Sequence, residues 1–555
     1  MDEQSIIGII GAGFQGKAAA YWFARNGFRV VMYDANPDQI SKVNAELGGA
    51  KKRSIQSFIR ITGEIRDLDE CHLIIENIPE NLEMKMALFA KVEEVAAPGA
   101  ILASNSSAFP ASCIFRNLSR KERCINIHFL GVNWGSKLVE VIPSAETSDQ
   151  TLRSSLDILT RAGFKAIGVG ECPGFVFNRL KGLELANIIR AYEMGLVDYD
   201  SMLKYLLYPI KGNWNVGFID LLGIEISESI IRFMHRELGE RYYISDLLTE
   251  KVRKNEFGVK TGKGFLDYTG VKDPFTLLNS RNEQLLPSRF RKIYMDNLLL
   301  NQTNFLLRLI NSGKEVYFPH RNSPYLEALR RTDEKLALKV LGKIKFADEN
   351  PQENGYDMII VSEILPQEHL VQRLNTITAL HGDRIPMIVF TPVYRISDLA
   401  KASQHQRAYL FGANVQKSYL SNTELVRTHE EGNEIYGDVL GFLKEIAGDC
   451  IEVEDGYARP LMFLLIAKMF EAIRMVEEGV ADVDTIEILL DRDVIFKDID
   501  YFGLRELKIM ADYLSAVYGE PFYAPVSLER MLQNGKTGAA EGEGFHVYFN
   551  PILTQ

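Results

Sequence analysis

The sequence predicts an α/β fold followed by an all-α fold, with this pair of domains repeated once along the chain. Short apolar runs alternate with helical stretches near the N-terminus, which is the pattern of a mostly parallel sheet covered by helices. Three short segments recur far downstream at nearly constant spacing, which indicates an internal duplication. The length of 555 residues agrees, because one domain usually contains ~100–200 residues.

The composition is that of an ordinary globular protein, with 46% hydrophobic residues, 25% charged residues and a net charge of −11. An acidic chain lacks the basic face that neutralises phosphates, so nucleic acid is not an expected partner. No apolar run reaches the ~18–20 residues of a membrane span, and the N-terminus lacks a signal-peptide pattern. The five cysteines are scattered without a CxxC pair. We therefore expect a cytoplasmic protein without a membrane segment or a metal site.

A glycine-rich turn stands in the first strand-helix-strand pattern. Ser5–Ile10 is an apolar run suited to a buried strand, and Gly11-Ala12-Gly13-Phe14-Gln15-Gly16 follows it directly. Lys17–Arg25 is a helical stretch, and Phe28–Tyr33 is a second strand that ends on Asp34. A glycine pattern alone is weak, but here it has the context of a dinucleotide-binding Rossmann unit.

The physical roles of these positions point to NAD. Gly11 permits a tight turn, Gly13 lets the backbone approach a pyrophosphate, and Gly16 lets the helix pack closely on the strand. The helix N-terminus offers N–H groups to the phosphates. Asp34 is expected to bind the adenosine ribose hydroxyls and to repel a 2′-phosphate, which favours NAD over NADP. The predicted cofactor-binding residues of this unit are Gly11, Gly13, Phe14, Gln15, Gly16 and Asp34. The alternative is a glycine-rich turn without a ligand.

A diverged second copy begins near residue 286. Its glycines Gly412, Gly456 and Gly544 follow Gly131, Gly174 and Gly264 at offsets of 281, 282 and 280 residues. Its predicted first strand is Phe290–Met295, but the next turn, Asp296-Asn297-Leu298-Leu299, has no glycine. This copy is therefore predicted to keep a Rossmann-like fold without binding a dinucleotide in the usual way.

We predict four domains in tandem. They are an NAD-binding Rossmann domain at 1–171, a helical domain at 172–285, a degenerate Rossmann-like domain at 286–452 and a second helical domain at 453–555.

Several segments beyond the glycine turn resemble the L-3-hydroxyacyl-CoA dehydrogenase family. They occur in the family's order and are Glu76–Asn81, Ser104–Ser107, His128-Phe129 followed by Leu138–Ile142, Pro173–Leu180 and Phe257–Phe265. The resemblance covers roughly residues 5–268. The doubled architecture resembles the family's long form, in which a second Rossmann-like domain and a second helical domain follow the first.

The resemblance implies a set of site residues. His128 is then the general base, Glu140 its orienting carboxylate, and Ser107 and Asn178 contact the substrate oxygen. Asn105, Glu80 and Lys85 lie around the nicotinamide ribose. The chemistry agrees, because removal of a hydride from a carbinol carbon requires an acceptor for the hydroxyl proton, and histidine titrates near neutral pH. A carboxylate stabilises the imidazolium, and hydroxyl and amide groups position the oxygen.

Each candidate also has a purely structural interpretation. His128 ends a predicted strand and is alternatively a core residue. Glu140 lies in an apolar run, where an unpaired charge is costly, so a histidine partner would explain its position. Ser107 competes with Ser104 and Ser106, because a serine cluster after a strand is often only a turn.

The second copy serves as an internal control. Tyr409 is aligned with His128, and Pro460 is aligned with Asn178. The alternative role of Asn178 is that of a helix cap. The predicted chemistry is therefore confined to one active site per chain. The second half is then a scaffold, a lid or a mimic of a dimer partner, and we expect a monomer with an internal pseudo-dimer or a homodimer.

Two features depart from the family pattern and concern the substrate. After His128-Phe129 the chain reads Leu130-Gly131-Val132 instead of Phe-Asn-Pro, so a pocket asparagine is missing, although Asn133 follows closely. Ile74 follows Asp34 by only 40 positions, whereas many members have a longer helical excursion here that clasps coenzyme A. Lys51–Arg53 is either a solvated basic loop or a contact for the coenzyme A phosphates.

The leading interpretation is NAD-dependent oxidation of a 3-hydroxyacyl-CoA to the 3-oxoacyl-CoA, in fatty-acid or related acyl-CoA metabolism. One alternative is a relative that oxidises a small free 3-hydroxy acid of the carnitine or gulonate type. The other is a non-catalytic NAD-binding interaction protein. Turnover of thioesters beside free hydroxy acids distinguishes the three.

Overall fold

The computed structural model describes residues 5–49, 52–132, 135–207, 218–271, 288–348, 355–415, 423–427, 434–490 and 494–548, without the side chain of Arg53. Contacts group the chain into two compact units. The first unit contains 1–179, 236–238 and 475–489, and the second contains 180–235, 239–474 and 490–555. The predicted division into four domains at 171, 285 and 452 stays a prediction.

The first unit contains an eight-stranded sheet in the order β3-β2-β1-β4-β5-β6-β7-β8. The strands are β1 (Ile7–Ile10), β2 (Val30–Tyr33), β3 (Ile59–Thr62), β4 (Leu73–Glu76), β5 (Ile101–Ser104), β6 (Cys124–Phe129), β7 (Leu138–Pro143) and β8 (Lys165–Gly168). Neighbouring strands are parallel except for the pair β6 and β7. The central strands are buried along their whole length, as expected for a parallel sheet covered on both faces.

Six helices belong to this sheet: α1 (Phe14–Arg25), α2 (Pro37–Gly48), α3 (Arg53–Gln56), α4 (Leu82–Val95), α5 (Ala111–Ile114) and α6 (Asp149–Arg161). Helix α1 begins inside the glycine turn at Phe14, three residues before the predicted start at Lys17. Its buried face carries Ala20 and Phe23, which pack with strand residues such as Ile9 and Ile127 in one apolar core. The sheet therefore fixes the glycine turn at the carboxyl end of β1.

The second unit contains another eight-stranded sheet, in the order β11-β10-β9-β12-β13-β14-β15-β16. Its strands are β9 (Lys292–Met295), β10 (Glu315–Phe318), β11 (Lys345–Phe346), β12 (Met358–Val361), β13 (Met387–Phe390), β14 (Leu410–Asn414), β15 (Glu424–Val426) and β16 (Ile451–Val453). Its antiparallel pair, β14 and β15, stands at the same place in the order as β6 and β7. The predicted duplication of the α/β fold is confirmed.

The other helices follow in chain order. They are α7 (Phe177–Glu193), α8 (Tyr199–Leu207), α9 (Phe218–Leu222), α10 (Ile224–Leu238), α11 (Asp246–Arg253), α12 (Thr303–Asn311), α13 (Pro324–Thr332), α14 (Glu334–Leu341), α15 (Gln367–His381), α16 (Ile396–Ala402), α17 (Glu434–Ala447), α18 (Pro460–Glu477), α19 (Val483–Leu489), α20 (Ile495–Phe502), α21 (Leu504–Tyr518) and α22 (Val526–Gln533). The apolar run 461–470 forms the first part of α18 and is buried throughout. Among the described helices, none is long and apolar enough to cross a membrane.

Strand register corrects the alignment of the two copies. His128 on β6 faces Glu140 on β7, and Asn414 on β14 faces Glu424 on β15. Asn414 therefore stands at the place of His128, and the alignment of Tyr409 with that histidine is wrong. Tyr409 lies in a short 3₁₀ turn before β14. The alignment based on the spacing of glycines in the two copies was shifted by a few residues at this strand, and the pairing of β14 with β15 reveals the shift.

Candidate active site

The glycine turn lies at the carboxyl end of β1, beside the end of β4, where the order of the strands changes direction. Gly11 has a φ of +93°, and a Cβ there would lie 2.7 Å from the carbonyl oxygen of Asn77. A Cβ at Gly16 would overlap the carbonyl oxygen of Gly11. Around Gly13, in contrast, no described atom lies within 4 Å of an added Cβ. The turn is thus tightly packed on its inner side and open at Gly13.

The open side of the turn fits a dinucleotide. The N-terminus of α1 has no capping side chain, so it presents backbone N–H groups at the turn. The Oε1 atom of Gln15 is buried without a hydrogen-bond partner among the described residues. Asp34, just beyond β2, accepts the Ala12 N–H at 2.7 Å and the Asn36 N–H at 2.8 Å. A carboxylate held at this place suits the ribose hydroxyls, and the open backbone beside Gly13 suits the pyrophosphate.

A histidine and a glutamate form a buried pair at the antiparallel strands. The Nδ1 atom of His128 lies 2.7 Å from Oε2 of Glu140. The histidine is 5% exposed and the glutamate is fully buried. Because Nδ1 faces a carboxylate, we assign the ring proton to Nδ1, which makes Nε2 the nitrogen that can accept a proton.

Backbone N–H groups at the start of α7 hold the other carboxylate oxygen. Val176 and Phe177 both donate to Oε1 of Glu140 at 3.0 Å. These two donors fix the position of the carboxylate at the N-terminus of the helix. The chain reaches them through Gly174 and Phe175, which have φ values of +73° and +53°. A phenylalanine in the left-handed region is strained, and here its ring lies 5.6 Å from the His128 imidazole, measured between centroids.

Asn178 lies beside the Nε2 atom of His128 and connects it to Ser107. The Asn178 Nδ2 atom is 3.4 Å from His128 Nε2 and donates to the Ser107 carbonyl oxygen at 2.8 Å. Of the three competing serines, Ser104 donates to Glu76 at 2.6 Å and Ser106 donates to Glu80 at 2.5 Å, and both are fully buried.

The Ser107 hydroxyl differs from those of the other two serines. Ser107 is half-buried, and its hydroxyl has no hydrogen-bond partner within the described part of the chain. It is therefore the serine of this cluster whose hydroxyl is available to a ligand.

Glu80 and Lys85 hold the loop that carries Ser107. Glu80 Oε1 accepts the backbone N–H groups of Ser107 and Ala108, at 2.9 and 3.1 Å. The Lys85 ammonium lies 3.3 Å from Glu80 and 2.6 Å from Glu76, and the residue is 1% exposed. Burial lowers the pKa of Lys85, but the two carboxylates outweigh it and raise that pKa above its ordinary value. Lys85 therefore lies beneath Glu80, charged and buried.

Asn105, which directly follows β5, connects the carboxyl ends of β4, β5 and β6. Its Oδ1 atom accepts the Phe129 N–H at 2.9 Å, and its Nδ2 atom donates to Asn77 Oδ1 at 2.9 Å. Phe129 follows His128 on β6, and Asn77 follows β4 beside the glycine turn. Asn105 thus lies between the dinucleotide turn and the histidine.

Sequence reasoning missed three buried residues of this region: Glu76, Phe175 and Arg179. Glu76 carried the same signal as Glu140, namely an acid in an apolar strand. Phe175 and Arg179 stood inside a quoted motif, but nothing in their residue type indicated a strained turn or a buried ion pair.

Three positions that the sequence analysis singled out are not described. Asn133, Lys51 and the side chain of Arg53 lie outside the described residues. The Lys52 ammonium lies 4.0 Å from the centroid of the Tyr21 ring.

The equivalent place in the second copy keeps the carboxylate and has lost the histidine. Glu424 is fully buried and accepts hydrogen bonds from Asn414 Nδ2 and the Leu461 N–H, both at 2.7 Å, and from the Tyr205 hydroxyl. Burial raises the pKa of Glu424 to about 7. An asparagine amide does not titrate, so Asn414 cannot act as the base that a histidine at this position could be.

Comparison with protein families gives matches across both copies. Residues 6–172 match the NAD-binding domain of 3-hydroxyacyl-CoA dehydrogenase. Residues 174–268 and again residues 463–548 match the C-terminal domain of 3-hydroxyacyl-CoA dehydrogenase. The second helical region is thus recognisable by its own sequence.

Individual relatives match about half of the chain. A 3-hydroxybutyryl-CoA dehydrogenase of Bradyrhizobium diazoefficiens is 31% identical over 285 residues, which cover 48% of this chain and 96% of that protein. The 5-formyl-3-hydroxy-2-methylpyridine 4-carboxylate 5-dehydrogenase of Mesorhizobium japonicum is 28% identical over 279 residues, covering 47% and 90%.

One solved structure matches nearly the whole chain. The 3-hydroxybutyryl-CoA dehydrogenase of Escherichia coli K12 covers 96% of this chain and 100% of its own, with a TM-score of 0.66 and 15% identity. At that identity the likeness is one of fold, and it extends over both copies.

Proposed function

Because the chain belongs to the 3-hydroxyacyl-CoA dehydrogenase family and is an NAD-dependent oxidoreductase, we propose that it oxidises a 3-hydroxyacyl-CoA to the 3-oxoacyl-CoA. The observation that carries this proposal is the hydrogen bond of 2.7 Å between His128 Nδ1 and Glu140 Oε2. The other ring nitrogen then lies 3.4 Å from Asn178 Nδ2, and we assign the substrate hydroxyl to this side of the ring.

In the proposed reaction His128 Nε2 takes the proton of the substrate's 3-hydroxyl group. The hydride leaves the same carbon, and the carbon–oxygen bond becomes a carbonyl. NAD, when bound at the glycine turn, is the hydride acceptor. Glu140 stabilises the imidazolium by its charge and keeps the ring in one tautomer. In the reverse direction the imidazolium returns the proton to the forming hydroxyl.

The substrate oxygen is assigned to Ser107 and Asn178. The hydroxyl of Ser107 and the amide of Asn178 are hydrogen-bond donors, and such donors stabilise negative charge on an oxygen as its proton leaves. Asn105 and Glu80 are assigned to the nicotinamide ribose. Lys85 is buried under Glu80, so its proposed role is to hold the Glu80 carboxylate in place.

The test mixes the protein with NAD and 3-hydroxybutyryl-CoA and measures the formation of NADH by its absorbance. We expect turnover by the wild type and its loss in His128→Ala. The matched control is Asn414→Ala, which changes the equivalent strand position of the second copy and is expected to keep turnover. Activity that survives in His128→Ala would remove the histidine from the proposed role.

A free hydroxy acid is the second candidate substrate. Among its described residues, the connection between β2 and β4 contains α2, α3, β3 and a short 3₁₀ helix at Ile65–Leu68, which leaves little chain to clasp coenzyme A. The Mesorhizobium japonicum relative is also named for a pyridine carboxylate rather than a thioester. Turnover of free 3-hydroxy acids without turnover of thioesters would favour this candidate. NAD binding without any turnover would favour a non-catalytic protein.

A further inference from the structure

We propose that Glu478, a residue of the catalytically silent second copy, is a positioning residue for the active site of the first copy. The proposal rests on the function proposed above for His128 and Glu140. Glu478 follows α18, and it belongs to the segment 475–489 that forms part of the first compact unit.

The first contact is an ion pair with the catalytic turn. Arg179 directly follows Asn178, and its side chain is completely buried. Its two terminal nitrogens lie 2.6 and 3.0 Å from the two carboxylate oxygens of Glu478. This bidentate geometry fixes the direction of the guanidinium as well as neutralising it. Without Glu478, a buried guanidinium would lose its charged partner, which is costly.

The second contact is between backbones. The Gly170 N–H donates to the Val480 carbonyl oxygen at 2.6 Å. A Cβ at Gly170 would lie 3.0 Å from the Val480 Cα atom and 3.2 Å from the Gly479 carbonyl oxygen, so the approach depends on a glycine. The segment around Glu478 therefore holds the stretch from Gly170 to Arg179 at both ends.

The catalytic groups lie on this same stretch. Val176 and Phe177 supply the N–H groups that hold Glu140, and Asn178 supplies the amide beside His128. A movement of Arg179 therefore moves the donors to Glu140 and the Asn178 amide together. Catalysis is sensitive to such displacements, because an error of ~1 Å costs as much as ~100-fold in rate.

The second unit shows that the ion pair is not a requirement of the duplicated fold. There the Glu454 N–H donates to the Leu196 carbonyl oxygen at 3.0 Å. Glu454 lies 284 positions after Gly170, and Leu196 lies 284 positions before Val480. This is therefore the same backbone contact, with the two copies exchanged as donor and acceptor. The position that corresponds to Glu478 is Met194, which is 40% exposed. The backbone contact is thus common to both copies, whereas the ion pair belongs to the copy with the histidine.

The kinetic test uses the full chain with Glu478→Gln. We expect kcat to fall roughly tenfold or more while the KM for NAD stays nearly constant, because the glycine turn is left intact. Glu478→Asp keeps the charge and is expected to recover part of kcat. The matched control is Asp198→Asn. Asp198 follows Leu196 in the second unit, its side chain is exposed to about the same extent as that of Glu478, and it pairs with an arginine, Arg427, at 2.7 Å. It is expected to keep kcat.

A second readout needs no substrate. In protein labelled with ¹⁵N-histidine, the proton on His128 Nδ1 should give a strongly downfield signal, assigned by its loss in His128→Ala. We expect Glu478→Gln to shift or remove this signal and Asp198→Asn to keep it. Wild-type kcat together with an unchanged signal in Glu478→Gln would overturn the proposal. A changed signal in a protein that never oxidises acyl-CoA would instead refute the proposed substrate and leave the positioning role standing.

Discussion

Glu140 and Glu424 occupy equivalent strand positions in the two sheets. Each accepts an N–H group from the start of the following helical segment, and each is fully buried. They differ in the residue that faces them, which is His128 in one copy and Asn414 in the other. A buried carboxylate at this place is therefore compatible with a structural role alone, and the chemical role that we propose for Glu140 depends on the histidine.

Glu140→Gln is expected to lower kcat by ~10²–10⁴-fold. A glutamine amide donates to Nδ1, so Nε2 would carry the proton and lose its capacity as a base. Steady-state NADH formation measures the effect, with Glu424→Gln as the control that keeps kcat. A similar loss in both variants would mean that the effect is one of folding rather than of chemistry.

The pH dependence of stability should carry the signature of Glu424. Burial raises its pKa to about 7 from an ordinary value of 4.5, so the folded chain retains a proton that the unfolded chain releases. The stability that this group contributes is complete below pH 4.5 and is lost as the pH rises to about 7. Glu424→Gln, which stays neutral, should gain in Tm relative to the wild type over that interval. Parallel curves of Tm against pH would contradict the prediction.

At the scale of elements, the turn between β1 and α1 separates packing from binding. Gly16 is required because a Cβ would overlap the Gly11 carbonyl oxygen, whereas Gly13 faces open space. The same short motif thus contains one glycine needed by the fold and one that the fold does not need, which we assign to the ligand.

Gly16→Ala is expected to destabilise the fold by ~1–3 kcal/mol, because α1 must shift to admit the methyl group. Gly13→Ala is expected to keep the wild-type Tm and to lose NAD affinity by roughly tenfold or more, because its methyl group occupies the space of the pyrophosphate. Thermal unfolding and NAD titration of both variants measure these effects. Tight NAD binding by Gly13→Ala would show that the dinucleotide lies elsewhere.

At the scale of the whole molecule, the two sheets share a topology, but the second lacks the glycine turn of the first. The turn after β9 reads Asp296-Asn297-Leu298-Leu299, and Arg373 pairs with Asp296 at 2.7 and 2.9 Å at the end of that strand. The side chains of this turn and the ion pair replace the open glycine backbone of the first copy. The predicted monomer with an internal pseudo-dimer, or homodimer, stays a prediction.

We therefore expect one NAD per chain of 555 residues. Isothermal titration of the purified full-length protein gives the stoichiometry, and Gly13→Ala should weaken all of the binding. Two NAD molecules per chain, or strong binding that remains in Gly13→Ala, would mean that the second turn also binds the cofactor.

The sequence by itself determined the fold class, the duplication, the family and the cofactor. These depend on local periodicity and on short motifs such as Gly11–Gly16, which act within one strand-turn-helix unit. It also singled out His128, Glu140 and Asn178 as candidates, although the roles proposed for them await the kinetic tests.

Only the tertiary structure decided which groups meet. It left the hydroxyl of Ser107 available while it engaged those of its neighbours, and strand register placed Asn414 opposite Glu424. It also paired Arg179 with Glu478, which is 299 residues away. Such contacts depend on the pairing and packing of segments that are far apart in the chain, and the pattern of hydrophobic and polar residues within one segment does not specify its distant partner.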